Sequence, residues 1–281
     1  MITNPIIIVR GGGDMATAVI HRLWRAGFGV LVLETDKPSA IRRQVAVSEA
    51  VYDGKAVVEG MTVIRIDQPS QCGIIWNRGH VPLLVDPHAQ SIEWMKPSVV
   101  VDAMIAKRNL GTCREMAPLT IALGPGFMAG DDVDAVIETM RGHNLGRIIY
   151  NGCAQPNTGI PGNIAGYAAE RVIHAPYAGR IRHLRAIGDY VNQGEPIAMI
   201  ADAQTEHPVL ASISGLIRGL IREGYDVPLG FKIADIDPRT EEYENCFTIS
   251  DKARCIAGGV LEAILYLQST QRTRQDQEAS I

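Results

Sequence analysis

The residues able to do chemistry fall into three groups. In the first, Gly11, Gly13 and Ala16 fit the G-x-G-x-x-G/A fingerprint, with Gly12 and Asp14 inside it. Glu34 stands about 20 residues on, where such a fingerprint holds a ribose hydroxyl. The chemistry would be anion binding by free amides at a helix start. Asp14 opposes it, because a carboxylate in the turn repels phosphate. The same residues also read as a tight turn that holds nothing. The second group is Asp102 with Lys107, Arg108 and Asn109, followed by the glycine-rich run Gly124 to Gly130, in which Gly124 and Gly126 are the first two glycines. A carboxylate and an ammonium on one rim can exchange protons or hold an anionic substrate. The plainer alternative has Asp102 capping a helix and Lys107 exposed. The third is Cys153, a candidate nucleophile or sulfur or selenium carrier if its pKa is lowered, and otherwise an inert small side chain. Glu138, Arg141 and His143 cluster nearby without a chemistry of their own.

The elements that must position these groups are legible as apolar runs. Ile6 to Val9 is a continuous apolar strand of the kind buried on both faces. After the glycines, Ala16, Val19, Ile20 and Leu23 recur at helical spacing, Gly27 ends the helix, and Val30 to Leu33 is a second strand. Val63 to Ile66, Val81 to Val85, Val99 to Val101, Thr120 to Leu123 and Arg147 to Tyr150 are further short strands. Val133, Val136, Ile137 and Met140 read as the apolar face of a helix N-capped by Asp131. Alternating strands and helices predict a parallel sheet covered on both faces. Ligands gather at the carboxyl ends of such strands, so Glu34, Asp86, Asp102 and Gly124 should share one rim. Arg42 and Arg43 are either anion contacts beside the second strand or a solvated basic pair.

The chain has 281 residues, 46% hydrophobic and 21% charged, the balance of a globular protein. A net charge of −4 gives no reason to expect nucleic acid as a partner or an anionic membrane surface. No apolar run is long enough to span a bilayer. The five cysteines are odd in number and form no C-x-x-C pair, which suits reduced thiols in a cytoplasm. No metal-ligand cluster stands out. A homo-oligomer is compatible with all of this.

Asn151 to Gly166 is rich in Gly, Pro and Asn and reads as a hinge. Beyond it an internal repeat appears. Ala175, Gly179, Ile181, Leu184, Gly188, Val191, Gly194 and Ile197 recur as Ala211, Gly215, Ile217, Leu220, Gly224, Val227, Gly230 and Ile233, always at one offset. Each copy reads as short strands broken by glycine turns. The pair of G-x-x-V-x-x-G turns resembles the biotinyl/lipoyl barrel-sandwich hybrid fold. Carrier domains of that fold place a modified Lys in the joining hairpin, but Ala201 to His207 has none, so neither biotin nor lipoate is expected. A helix N-capped by Ser250 follows, and 269–281 is polar enough to be disordered.

The resulting plan is an α/β chain: a Rossmann-like parallel-sheet domain over 1–150, a hinge over 151–171, a small barrel-sandwich hybrid domain over 172–236, and a C-terminal segment and helix over 237–268. The stretches RGGGDMATAVIHRLWRAGF, KPSAIRRQV, DAMIAKRN, LGPGFMAG, ETMRGHNLGR and NTGIPG together resemble the YqeB-type accessory proteins of selenium-dependent molybdenum hydroxylase systems. That resemblance implies a maturation factor that binds or delivers the molybdenum cofactor or its selenium, with the hydroxylase or other maturation proteins as partners. Read from the residues alone, the alternatives are an NAD(P)-dependent oxidoreductase, with Glu34 favouring NAD, and a non-enzymatic docking protein.

Overall fold

The computed structural model describes residues 5–159, 162, 164–202 and 205–278, with side chains described up to residue 270. The chain divides into two units. The first comprises Met1–Pro38, Val47–Asn157 and Ile249–Ile281, the second Ser39–Ala46 and Thr158–Thr248. No helix among the described residues is long and apolar enough to cross a membrane.

Unit 1 opens with strand β1 (Ile6–Arg10), helix α1 (Asp14–Arg25) and strand β2 (Gly29–Glu34). Ala16, Val19, Ile20 and Leu23 are fully buried on one face of α1, as their spacing predicts. The helix ends in a Schellman motif: Gly27 has φ +88°, its amide donates to the Trp24 carbonyl, and the Phe28 amide donates to that of Leu23. The unit continues with α2 (Ala50–Asp53), β3 (Lys55–Val58), β4 (Met61–Ile66), α3 (Cys72–Asn77), β5 (Val81–Val85), α4 (Ser91–Met95), β6 (Val99–Asp102), β7 (Thr120–Leu123), β8 (Ala135–Ile137) and β9 (Ile148–Ile149). They form one sheet of nine strands in the order β3-β4-β5-β2-β1-β6-β7-β8-β9. Ile8, Leu31, Leu33, Leu84 and Val100 lie at the centre of one apolar face. Burying each such side chain contributes roughly 1.5–3 kcal/mol.

The expectation of a Rossmann-like parallel sheet followed by a barrel-sandwich hybrid is corrected here. The sheet is mixed: β3 pairs antiparallel with β4, and β9 antiparallel with β8. At the β3 edge the cause is a two-residue hairpin in which Glu59 and Gly60 both have positive φ, as the tightest hairpin turns require. At the other edge, no α-helix stands between β6 and β7, where there is only a 3-10 turn over Arg114–Met116, or between β7 and β8. The helix expected over Val133 to Met140 is instead β8. Asp134 pins it beside β7, its carboxylate accepting from the Thr120 amide and hydroxyl at 2.8 and 3.0 Å. The last helix, α5 (Asp251–Glu278), replaces the missing crossovers and packs on α1 and on β7 to β9. Ser250 caps it, accepting from the Ala253 amide at 3.2 Å. The helix runs ten residues into the segment expected to be disordered; 279–281 lie outside the described residues.

Unit 2 is a pair of four-stranded antiparallel sheets, built from β10 (Val172–His174), β11 (Gly179–His183), β12 (Tyr190–Val191), β13 (Pro196–Ala201), β14 (Glu206–Leu210), β15 (Gly215–Leu220), β16 (Asp226–Val227) and β17 (Lys232–Asp237). The sheet orders are β10-β17-β15-β12 and β14-β13-β11-β16. Exchanging the two repeat copies turns one order into the other, so each sheet takes two strands from each copy. The glycines agree in detail. Gly179 and Gly215 have φ +154° and +156°, and a Cβ on either would stand 2.3 Å from a facing carbonyl oxygen, that of Ala201 or of Asp237. The core holds Ile181, Val191, Ile197, Ile217, Val227 and Ile233. The joining segment read as lacking Lys contains Ala203 and Gln204, which lie outside the described residues, as do Ile160, Pro161 and Asn163 of the hinge. Arg42 and Arg43 are structural in this unit. Arg42 donates to the carbonyls of Asn245 and Thr248, and Arg43 to that of Leu220.

Candidate functional site

The sheet of unit 1 changes winding direction at β1, whose neighbours β2 and β6 lead to opposite edges. The crevice beyond the carboxyl ends at such a point is where open α/β sheets bind ligands. Arg10 closes β1 and Asp102 closes β6, side by side. Both are buried, with Thr112 between them. The Thr112 hydroxyl donates to Asp102 Oδ2 at 2.6 Å and accepts from the Arg10 guanidinium. The Met104 amide donates to Asp102 Oδ1 at 3.2 Å, and Arg10 Nη1 lies 3.9 Å from Oδ2. Burial holds the Asp102 carboxyl above its ordinary range, outweighing the hydrogen bonds from Thr112 and Met104 and the charge of Arg10. Asp102 is 1% exposed, so it anchors the loop after β6 from inside rather than meeting a solute.

That loop lies between the two glycine turns. A Cβ on Gly11 would meet the Ala103 and Met104 backbone at 3.1–3.2 Å, and one on Gly126 would meet that of Arg108 at 2.7 Å. Gly11 has φ +100° and Gly126 φ +111°. Both glycines are therefore explained by close approach of backbone to backbone. Between these contacts, Ile105 (φ +54°) and Lys107 (φ +63°) take left-handed conformations that a β-branched or long side chain rarely adopts. Lys107 and Arg108 are exposed. Asn109 braces the far end, its carboxamide oxygen accepting from Gly111 and Thr112 and its amide donating to the Thr112 carbonyl.

The first glycine turn is not arranged as a phosphate cradle. The Gly12 amide donates to Glu34 Oε2 at 2.7 Å, and Glu34 Oε1 accepts from Thr35 at 2.8 Å. Burial raises the Glu34 pKa against these two bonds, which lower it. The Gly12 carbonyl accepts from Ser48 and Thr17. Gly13 is the N-cap of α1 and has open space about it, Asp14 turns its own carboxylate to the Met15 amide, and Ala16 is buried. In the second turn, a Cβ on Gly124 would meet the Thr139 hydroxyl at 2.6 Å.

Neither Asp102 nor Lys107 lines the pocket that holds Cys153. That pocket, of about 410 Å³, is also lined by Glu138, Asn144, Arg147, Ile149 and Gln155. The buried Glu138 carboxylate accepts from the amides of Met140 and Gln155, at 2.7 and 2.8 Å. Lys252, on the first turn of α5, is the residue the sequence reading missed. Burial, with Arg141 nearby, lowers its pKa, while Asp14, Glu138 and Asp251 raise it. No local motif could have flagged it, since its neighbours come from α1, from the end of β8 and from its own helix. Among the described residues, no group of three or more His, Cys, Asp or Glu could hold a metal ion.

No family model matches the chain. It is 49% identical over 275 residues to "Uncharacterized protein YqeB" of Escherichia coli K12, an alignment covering 97% of this chain and 50% of that protein. That supports a YqeB-type sequence, and the chain spans half the length of this relative. Solved structures similar to it include the ectoine utilization protein EutE (DoeB) from Ruegeria pomeroyi, at 9% identity and TM-score 0.27 over 83% of this chain and 85% of that one. Another is a succinylglutamate desuccinylase/aspartoacylase from Rhodobacter sphaeroides, at 13% identity and TM-score 0.27 over 84% and 86%. Likenesses this low carry neither fold nor activity to the chain. The expectation of a maturation factor for selenium-dependent molybdenum hydroxylases is set aside, since the relative is described only as uncharacterized and lends it no support.

Proposed function

We propose that unit 1 binds an anionic small molecule at the carboxyl edge of its sheet, with Lys107 and Arg108 as the recognising cations. The observation that carries this reading is the strained loop they stand on. Two non-glycine residues in left-handed conformations cost on the order of 1–3 kcal/mol each and persist only where the surroundings over-determine them. Here the surroundings are the buried Arg10–Thr112–Asp102 network on one side and the backbone contacts of Gly11 and Gly126 on the other. Strain held this firmly at a switch point fixes the backbone from which an exposed ammonium and guanidinium project. That pair suits a phosphate or carboxylate group, the guanidinium by a two-pronged contact and the ammonium as a point charge. The Gly12 amide is committed to Glu34, so the anion belongs at the second glycine turn rather than the first. A phosphate-bearing nucleotide falls in this class, and NAD(P) is the first to try.

The test is a titration of the protein with pyrophosphate, NAD, NADP and citrate, followed by melting temperature, since a ligand of the native state raises it with concentration. At least one anion should bind, and the double substitution Lys107→Ala/Arg108→Ala should weaken it at least tenfold. Binding that survives the double substitution unchanged would place the site elsewhere.

A further inference from the structure

Neither Lys107 nor Arg108 lines the pocket that holds Cys153. Its volume of about 410 Å³ is in the lower part of the range of small-molecule sites. Ile149 and Ala154 give it an apolar wall, and the polar groups converge from the other sides. Arg147 Nη1 donates to the Asn144 side-chain oxygen at 3.3 Å, which leaves the rest of its guanidinium fork and the Asn144 amide as donors. Glu138 contributes a negative charge, but two backbone amides hold both its oxygens, and Lys252 lies within its electrostatic reach. The Cys153 sulfur lies 3.8 Å from that of Met128, in the second glycine turn. An anion with a short apolar body matches donors from Arg147 and Asn144 and the apolar wall of Ile149 and Ala154.

We propose that this pocket is a binding site for a small organic carboxylate, its charge paired with Arg147 and its other end laid against the Cys153 thiol.

Alkylation of the full-length protein tests this. Iodoacetate and iodoacetamide differ only in carrying a carboxylate or a neutral amide. With either, the Cys153 thiolate displaces iodide, forming a C–S bond as the C–I bond breaks, and the thiol proton passes to solvent. Rates at Cys153 and at Cys113, another exposed thiol, are read separately by peptide mass spectrometry. The ratio of iodoacetate to iodoacetamide rates at Cys153 should fall about fivefold in Arg147→Ala, the order expected for one unit charge about 4 Å away screened as in bulk water. Arg147→Lys, which keeps the charge, should retain most of the ratio, and the ratio at Cys113 should not move. Glutarate should slow iodoacetamide at Cys153 in the unaltered protein. A ratio indifferent to Arg147→Ala overturns the proposal. So does a Cys153 rate that glutarate leaves unchanged, an outcome needing no substitution. Neither result depends on Lys107 or Arg108.

Discussion

Replacing Thr112 with Val removes one buried hydroxyl and almost no volume. That hydroxyl donates to Asp102 at 2.6 Å and accepts from Arg10, so two hydrogen bonds to charged groups go together. Each contributes about 1.5–3 kcal/mol. Arg10 already lies 3.9 Å from the same carboxylate oxygen and can close on it, recovering part of the loss. The net cost should be about 2–4 kcal/mol at neutral pH, lowering the melting temperature of unit 1 by on the order of 10 °C. The cost should also depend on pH. Because burial raises the folded-state pKa of Asp102, the folded chain keeps that proton to higher pH than the unfolded chain. Stability therefore falls as pH rises through the window between the unfolded and folded values, and is level above it. The Thr112 hydrogen bond pulls the folded value down, so its loss widens the window upward. Thr112→Val should cost least near pH 4, where the raised folded-state pKa favours the protonated carboxyl, and most at pH 7–8. Thr112→Ser, which keeps the hydroxyl, should retain most of the stability. Denaturant unfolding of the three proteins at pH 4, 6 and 8 measures this. A cost under about 1 kcal/mol, or one flat across that range, would show that the Arg10–Thr112–Asp102 network is not what fixes the loop.

Gly126→Ala should weaken anion binding at the rim and destabilise unit 1 by more than about 1 kcal/mol, because a Cβ 2.7 Å from the Arg108 backbone forces the Lys107–Arg108 segment to move; titration and melting read both. Gly13→Ser should instead stabilise slightly, by roughly a few tenths of a kcal/mol, since this N-cap has φ −67°, open space and no side-chain cap, and Ser supplies one. Gly179→Ala and Gly215→Ala should each cost unit 2 more than about 3 kcal/mol, and by similar amounts, which denaturant curves compare directly. The lowered pKa of Lys252 means the unfolded chain binds more protons just below the ordinary lysine value, so stability contributed there rises with pH; Lys252→Met should remove that rise from a pH series of melting curves.

The β1–turn–α1–β2 unit was readable because its apolar periodicity switches from continuous to helical within a few residues and a glycine ends the helix. The repeat was readable because each glycine turn has its counterpart at one fixed offset, and the two sheets follow that exchange. Strand direction at the sheet edges was not readable, since it depends on a hairpin at Glu59–Gly60 and on pairing between distant segments. Ala135 to Ile137 fits a helix face or a buried strand equally well, and the choice falls to Asp134 bonding across to Thr120. The fingerprint glycines were found, yet Gly11 serves the loop after β6 and Gly12 is tied to Glu34. Polar composition at 269–278 suits disorder, but Gln, Arg and Glu are also good helix formers. Lys252 was invisible because its neighbours are distant in sequence.

On the proposed reading, the strained loop after β6 presents Lys107 and Arg108 to an anion. Isothermal titration of pyrophosphate into the unaltered protein, Lys107→Ala/Arg108→Ala and Thr112→Val tests it most directly. Binding should be saturable, lost in the double substitution and weakened in Thr112→Val, which touches no ligand. Equal affinity in all three proteins, or no saturable binding in the unaltered protein, would contradict it.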